Sequence, residues 1–116
     1  MPWPGINQRN FPRIEASLGI RIVKDDKSVI RTKTKNLSYS GTCVVLSQQL
    51  EKLSTVRLEL DLSSDQPPIR CNGRIAWLVR SQEPVSHKVS YDIGIEFLKL
   101  DPEAKDQIHS YVQSHS

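Results

Sequence analysis

Apolar and polar residues alternate along most of this chain. Ile14, Ala16, Leu18, Ile20 and Ile22 alternate with Glu15, Ser17, Gly19, Arg21 and Val23. A period of two sends one set inward and the other outward, which predicts a strand. Lys24-Asp25-Asp26-Lys27 then reads as a hairpin turn, and the Val-, Ile- and Thr-rich stretch from Ser28 to Asn36 as its second strand. Gly41 to Leu46 predicts a short buried strand. Gln48 to Leu53, with Leu50 and Leu53 three apart, predicts one helical turn. The most regular alternation follows: Val56, Leu58, Leu60 and Leu62 against Arg57, Glu59 and Asp61. After turn residues at Ser63 to Pro68, one parity holds Ile69, Cys71, Ile75, Trp77 and Val79, and the other Arg70, Asn72, Arg74 and Arg80. Gly73 interrupts the apolar set, as at a bulge or a close backbone approach. Val89, Tyr91, Ile93, Ile95 and Phe97 form the last alternating run.

One helix closes the chain. Asp101 suits the N-cap, Pro102 the first helical position, and Glu103 the positive end of the helix dipole. Ala104, Ile108, Tyr111 and Val112 share one side, which should pack on the sheet or plug a barrel end. About six evenly spaced strands and one terminal helix predict a mainly β fold, a six-stranded antiparallel barrel with a C-terminal α-helix, because closure removes exposed sheet edges.

A length of 116 residues supports one domain with a modest core. Residues 1–13 contain Pro2, Pro4 and Pro12 and predict an extended arm ahead of a single barrel domain over 14–116. No apolar run approaches the roughly 20 residues of a membrane span, so no membrane insertion is expected. The first residues, Met-Pro-Trp-Pro-Gly, lack the basic start and apolar stretch of a signal peptide, and the expected location is cytoplasmic. Cys43 and Cys71 fall among apolar strand residues and read as reduced core thiols. With His87, His109 and His115 they do not form the close grouping of a metal site. No nucleophile–base pair is visible either, so no catalytic residue is assigned and a non-enzymatic role is expected.

The formal net charge is +3, unevenly placed. Residues 1–40 carry eight basic and three acidic side chains, and residues 41–116 eight basic and ten acidic. A basic N-terminal third suits an anionic partner such as a nucleotide or nucleic acid; a solvated, mixed strand face is the other reading. The seven aromatic residues are scattered and mostly at inward parity, so no platform for stacking RNA bases is evident, and neither DNA nor RNA is expected as a partner.

Two short pieces carry candidate chemistry. Arg9 and Arg13 form an Arg-x-x-x-Arg spacing on the pre-strand arm, with Phe11 and Pro12 stiffening it. The spacing alone means little, since Arg70 and Arg74 repeat it on a solvent-facing strand. Asn36-Leu37-Ser38-Tyr39-Ser40-Gly41 is an Asn-x-Ser-x-x-Gly turn between two strands, and Gly41 could simply supply a positive φ angle there. Two guanidinium groups, an amide, a hydroxyl and a glycine together suit a guanine nucleotide. Guanine O6 and N7 accept the arginine fork in bidentate fashion, and phosphate pairs with it as well.

In this order, on a β-rich domain with a terminal helix, the two pieces resemble the PilZ family. Gly73-Arg74-Ile75-Ala76-Trp77 resembles that family's glycine-x-aliphatic-x-tryptophan strand, and Asp92-Ile93-Gly94-Ile95-Glu96-Phe97 its following Gly-x-x-Phe strand. The resemblance runs from about Gln8 to Tyr111. It implies a PilZ-type barrel and a receptor for the bacterial second messenger cyclic di-GMP, with no further cofactor. Arg9 and Arg13 are then expected on the guanine edges and phosphates. The Asn36 side-chain oxygen is expected to accept from guanine N1–H or N2–H, and Ser38 to donate to a phosphate or base acceptor. Gly41 is expected to allow close backbone approach. Many family members carry another arginine where Gln8 stands, a position that the resemblance ties to whether one ligand or an intercalated pair binds. Trp77 has two readings: core packing, favoured by its parity, or stacking on a guanine. The expected mechanism is an arm that closes over the ligand and changes a surface read by an unidentified downstream protein or domain. The alternative is a PilZ-like interaction module that does not bind nucleotide.

Overall fold

The computed structural model describes residues 13–115. Among them are seven strands and one helix: β1 (Arg13–Glu15), β2 (Gly19–Val23), β3 (Val29–Ser38), β4 (Gly41–Leu46), β5 (Thr55–Leu60), β6 (Ile69–Gln82), β7 (Val89–Leu98) and α1 (Pro102–His115). All pairings are antiparallel. The order β3-β2-β5-β6-β7-β4 returns to β3 through a β3–β4 pairing, so six strands close a barrel. The seventh, β1, pairs with the far end of β3 and lies in line with β2. The continuous strand expected over Ile14 to Val23 is therefore broken at Ala16–Leu18. There Thr34 takes over: its hydroxyl donates to the Ala16 carbonyl and accepts from the Leu18 amide.

Period two accounts for the core. Ile20, Ile22, Leu37, Val44, Leu58, Leu60, Ile75 and Ile93 are all at most 1% exposed inside the ring. Gly73 also faces inward. A Cβ there would meet Leu58 and Ile95 at 2.7 and 2.8 Å, so large neighbours already fill its space. Helix α1 closes one end with Ala104, Ile108 and Val112 buried. Its start is capped as expected, the Asp101 carboxylate accepting from the Ala104 amide at 2.8 Å. The Lys24–Lys27 turn is present, with Lys27 in the left-handed region at φ 73°.

Two further sequence expectations fail. Residues 48–53 form no helical turn. Leu50 enters the core, but Leu53 is exposed at φ 69°, and its amide donates to the Ile75 carbonyl beyond the end of β5. A two-leucine pattern is too short to fix a period. The second failure is in β6. Its register against β7 slips between Ile75, opposite Ile95, and Trp77, opposite Gly94. The extra residue, Ala76, is a β-bulge that reverses parity. Ile75 points into the core, whereas Trp77 and Val79 move to the outer face and Leu78 turns inward. Trp77 is not a core residue.

Candidate functional site

The Asn36–Gly41 segment joins the end of β3 to the start of β4. Ser38 is buried, and its Oγ donates to the Gly41 carbonyl at 3.2 Å. The same oxygen accepts from the amides of Ser40 and Gly41 at 3.3 and 3.2 Å. One hydroxyl thereby satisfies three backbone groups and sets the curvature of the turn. Thr42 Oγ1 donates to the Asn36 carbonyl at 2.6 Å, and the Phe97 amide to the Ser40 carbonyl at 2.8 Å, locking the turn against β7. Gly41 does not adopt a positive φ. Its reason is steric: a Cβ would lie 2.3 Å from the Ile95 carbonyl oxygen. The close backbone approach at Gly41 is to β7.

Arg13, expected on the arm, opens β1 and lies opposite Ser38; its side chain is exposed and makes no ion pair among the described residues. Asn36 is half-buried, and its side chain makes no hydrogen bond among the described residues. Arg9 and Gln8 lie outside the described residues.

The barrel's registers extend this site sideways. Asn36 lies opposite Cys43, Cys43 opposite Gly94, and Gly94 opposite Trp77. All four sit on the outer face, in one row across four strands. At ~4.8 Å per strand the row spans about 14 Å. Its ends are an amide and an indole, and its middle offers only a glycine and a small thiol. The Trp77 ring lies over Gly94, so close that a Cβ on that glycine would be 2.2 Å from indole Cε2 and Nε1. Cys43 is 2% exposed, and burial pushes its thiol pKa up, so it stays protonated at neutral pH. Ion pairs flank the row on both sides: Lys35–Asp92 at 3.2 Å and Arg74–Glu96 at 2.7 Å.

The structure therefore brings together Arg13, Asn36, Ser38, Gly41 and Trp77. Sequence reasoning missed Cys43 and Gly94, which form the middle of the row. Gly94 gave one signal, a residue without a side chain at an outward position of β7. What it accommodates depends on the Ala76 bulge. The second arginine pair, Arg70 and Arg74, lies on exposed β6 positions, bonded to Glu59 and Glu96. Among the described residues no group of three or more His, Cys, Asp or Glu side chains could hold a metal ion. No helix among them is long and apolar enough to cross a membrane.

The sequence pattern of the PilZ domain matches residues 7–114. The chain belongs to the PilZ domain family. No curated protein sequence matches it. Among solved structures, this PilZ domain is similar to the PilZ domain of YcgR from Escherichia coli with c-di-GMP, at 15% identity and a TM-score of 0.74 over 93% of this chain and 91% of that one. It is also similar to the Bacillus subtilis inhibitor of motility, MotI/DgrA, at 21% identity and a TM-score of 0.71, covering 92% of this chain and 50% of that one. The K. pneumonia MrkH–c-di-GMP complex is a third, at 13% identity and a TM-score of 0.76, covering 91% of this chain and 51% of that one. The chain spans about half the length of the MotI and MrkH chains. At these identities the likeness establishes the barrel and its terminal helix.

Proposed function

We propose that this PilZ domain is a non-enzymatic receptor for cyclic di-GMP, acting as an adaptor in bacterial second-messenger signalling. The observation that carries the reading is the outer-face row and its border: Asn36 and Trp77 at its ends, Gly94 and Cys43 between them, and Arg13 beside the motif turn. A planar base fits against the Trp77 ring. The Asn36 amide oxygen, with no hydrogen bond among the described residues, suits acceptance from a guanine N–H. Arg13, without an ion pair among the described residues, offers its fork to guanine O6 and N7 or to phosphate. YcgR and MrkH, which share the fold, are recorded with c-di-GMP.

Ser38 and Gly41 take a different part from the one their motif suggests. Both are committed to the turn, so their contribution is to hold Asn36 and the turn's backbone in place for the ligand. Arg9 and Gln8 complete the reading as groups on an arm that folds over the bound nucleotide. Ordering that arm costs roughly 1–2 kcal/mol per fixed residue, which the charge-assisted contacts of Arg9 and Arg13 must exceed. The altered surface is then read by a downstream protein or domain in the cytoplasm.

A PilZ-like interaction module without nucleotide is favoured by one observation: the structural duties of Ser38 and Gly41 retain those residues with or without a ligand. Amide NMR of the full chain separates the two readings. Cyclic di-GMP should shift the amides of residues 13–15 and 36–43, Gly94, and the Trp77 indole N–H, and leave the outer positions of β2 and β5 unmoved. A spectrum unchanged at saturating nucleotide would leave only the ligand-free module.

A further inference from the structure

The other side of the barrel carries the molecule's excess charge. Outward positions of β2, β5 and the first halves of β3 and β6 present Arg21, Arg31, Lys33, Arg57 and Arg70, against Glu59 and, just past β5, Asp61. These seven side chains sum to +3, the net charge of the whole chain; the remaining eleven basic and eleven acidic side chains balance.

The arrangement on this face is uneven. Arg31, Arg21, Glu59 and Arg70 form one cross-strand row, so two arginines stand directly opposite each other. Like charges in that position oppose folding. Glu59 is shared by Arg21 at 2.8 Å and Arg70 at 3.4 Å, and Asp61 also turns to Arg21 at 3.3 Å. The two carboxylates of this face, Glu59 and Asp61, thus serve Arg21 and Arg70. Arg31, Lys33 and Arg57 have no ion pair among the described residues. Beside them, Val29 lies opposite Val23, and Val23 opposite Arg57, giving an outward apolar pair with Val29 41% exposed. Arg57 stands beside Val23 on the next strand, and Arg31 two residues along β3 from Val29, so the two arginines lie about 12 Å apart diagonally across β2.

We propose that this face docks an acidic, extended segment of a partner protein, with carboxylates on Arg31 and Arg57 and an apolar side chain on the Val23–Val29 pair. In an extended chain, residues i, i+2 and i+4 share one face and span about 13 Å. An acidic–x–apolar–x–acidic segment laid along that diagonal therefore reaches both arginines, with its apolar side chain crossing β2 beside Val23 and leaning toward Val29. Among the described residues the face carries no aromatic side chain on which a base could stack, which favours a protein partner over a single-stranded nucleic acid. Arginine forks give the bidentate carboxylate geometry, and the uncompensated charge steers encounter. The inference concerns a face that shares no residue with the proposed cyclic di-GMP site and stands independently of it.

The probe is a synthetic peptide of two Glu-Ser-Leu-Ser-Glu units, titrated into the isotope-labelled full chain. The expected result is saturable shifts confined to Val23, residues 29–33 and Arg57, weakened at least tenfold in the double variant Arg31→Glu/Arg57→Glu and strongly weakened by high salt. Arg31→Gln/Arg57→Gln serves if the charge reversals unfold the barrel. No shifts, shifts mapping elsewhere, or undiminished affinity in the variants overturn the proposal. So does a double-stranded DNA oligonucleotide that occupies the same face more tightly than the peptide.

Discussion

Replacing Gly41 with alanine tests whether this glycine serves the turn or the ligand. A Cβ would sit 2.3 Å from the Ile95 carbonyl oxygen, 3.2 Å from its carbon and 3.3 Å from Glu96 Cα. All three atoms are backbone, so no side chain can swing aside. The β4–β7 ladder must open locally by about 1 Å, which also strains the 2.8 Å bond from the Phe97 amide to the Ser40 carbonyl. Overpacking a tight site costs ~1–3 kcal/mol and a weakened buried hydrogen bond ~1 more. The expected loss is thus about 2–4 kcal/mol, a large share of the ~5–15 kcal/mol of a typical domain. At ~4 °C per kcal/mol for a chain of this size the melting temperature should fall by about 10 °C or more. Circular dichroism melts of wild type and Gly41→Ala, without nucleotide, measure this directly. A variant melting within about 2 °C of wild type would refute the steric assignment and return Gly41 to a role in ligand approach.

Other outcomes follow from the same geometry. Ser38→Ala removes the acceptor for two amides and should cost ~1–3 kcal/mol in a urea melt, whereas a neutral change would mean the hydroxyl is not organising the turn. Gly94→Ala should push the Trp77 ring off the barrel; in a Trp3→Phe background the fluorescence should shift to the red, and an unchanged spectrum contradicts the stacked geometry. The hydrogen bond from Arg21 lowers the Glu59 pKa from its usual 4.5. Its stabilisation is therefore fully present above about pH 5, and is lost as pH falls through the depressed folded value. Glu59→Gln should be the less stable protein at neutral pH and converge with wild type once pH falls below the depressed folded value; parallel stability curves would show the pair is not linked to folding.

Local chemistry explains which parts of this structure were legible in the sequence. Alternation located the strands, because one face of each is buried in the ring. Asp101 and Pro102 located the helix start, because capping involves only neighbouring residues. Three features depend on contacts distant in sequence. The break at Ala16–Leu18 is set by the Thr34 hydroxyl on a neighbouring strand. The exposed Leu53 is set by a bond to Ile75. The Ala76 bulge is visible only in the register of β6 against β7, and everything beyond it inverts, so Trp77 read as core on parity alone. For the candidate site, the motif turn and Arg13 were proposed from residue types. Cys43 and Gly94 were not, because only cross-strand pairing places them between Asn36 and Trp77. Ser38 and Gly41 were read as ligand groups; their duties in the turn depend on hydrogen bonds and on packing against β7 that residue types do not show.

The receptor reading is tested most directly by isothermal titration of cyclic di-GMP into the full chain and into Arg13→Ala, with a melt of each protein alone. Saturable binding to the wild type, loss of that binding in the variant, and nearly superimposable melts are expected, since the exposed Arg13 side chain holds no ion-pair partner among the described residues. Wild-type protein that releases no heat at high micromolar nucleotide, or an Arg13→Ala variant that binds as tightly as wild type, would contradict the receptor reading.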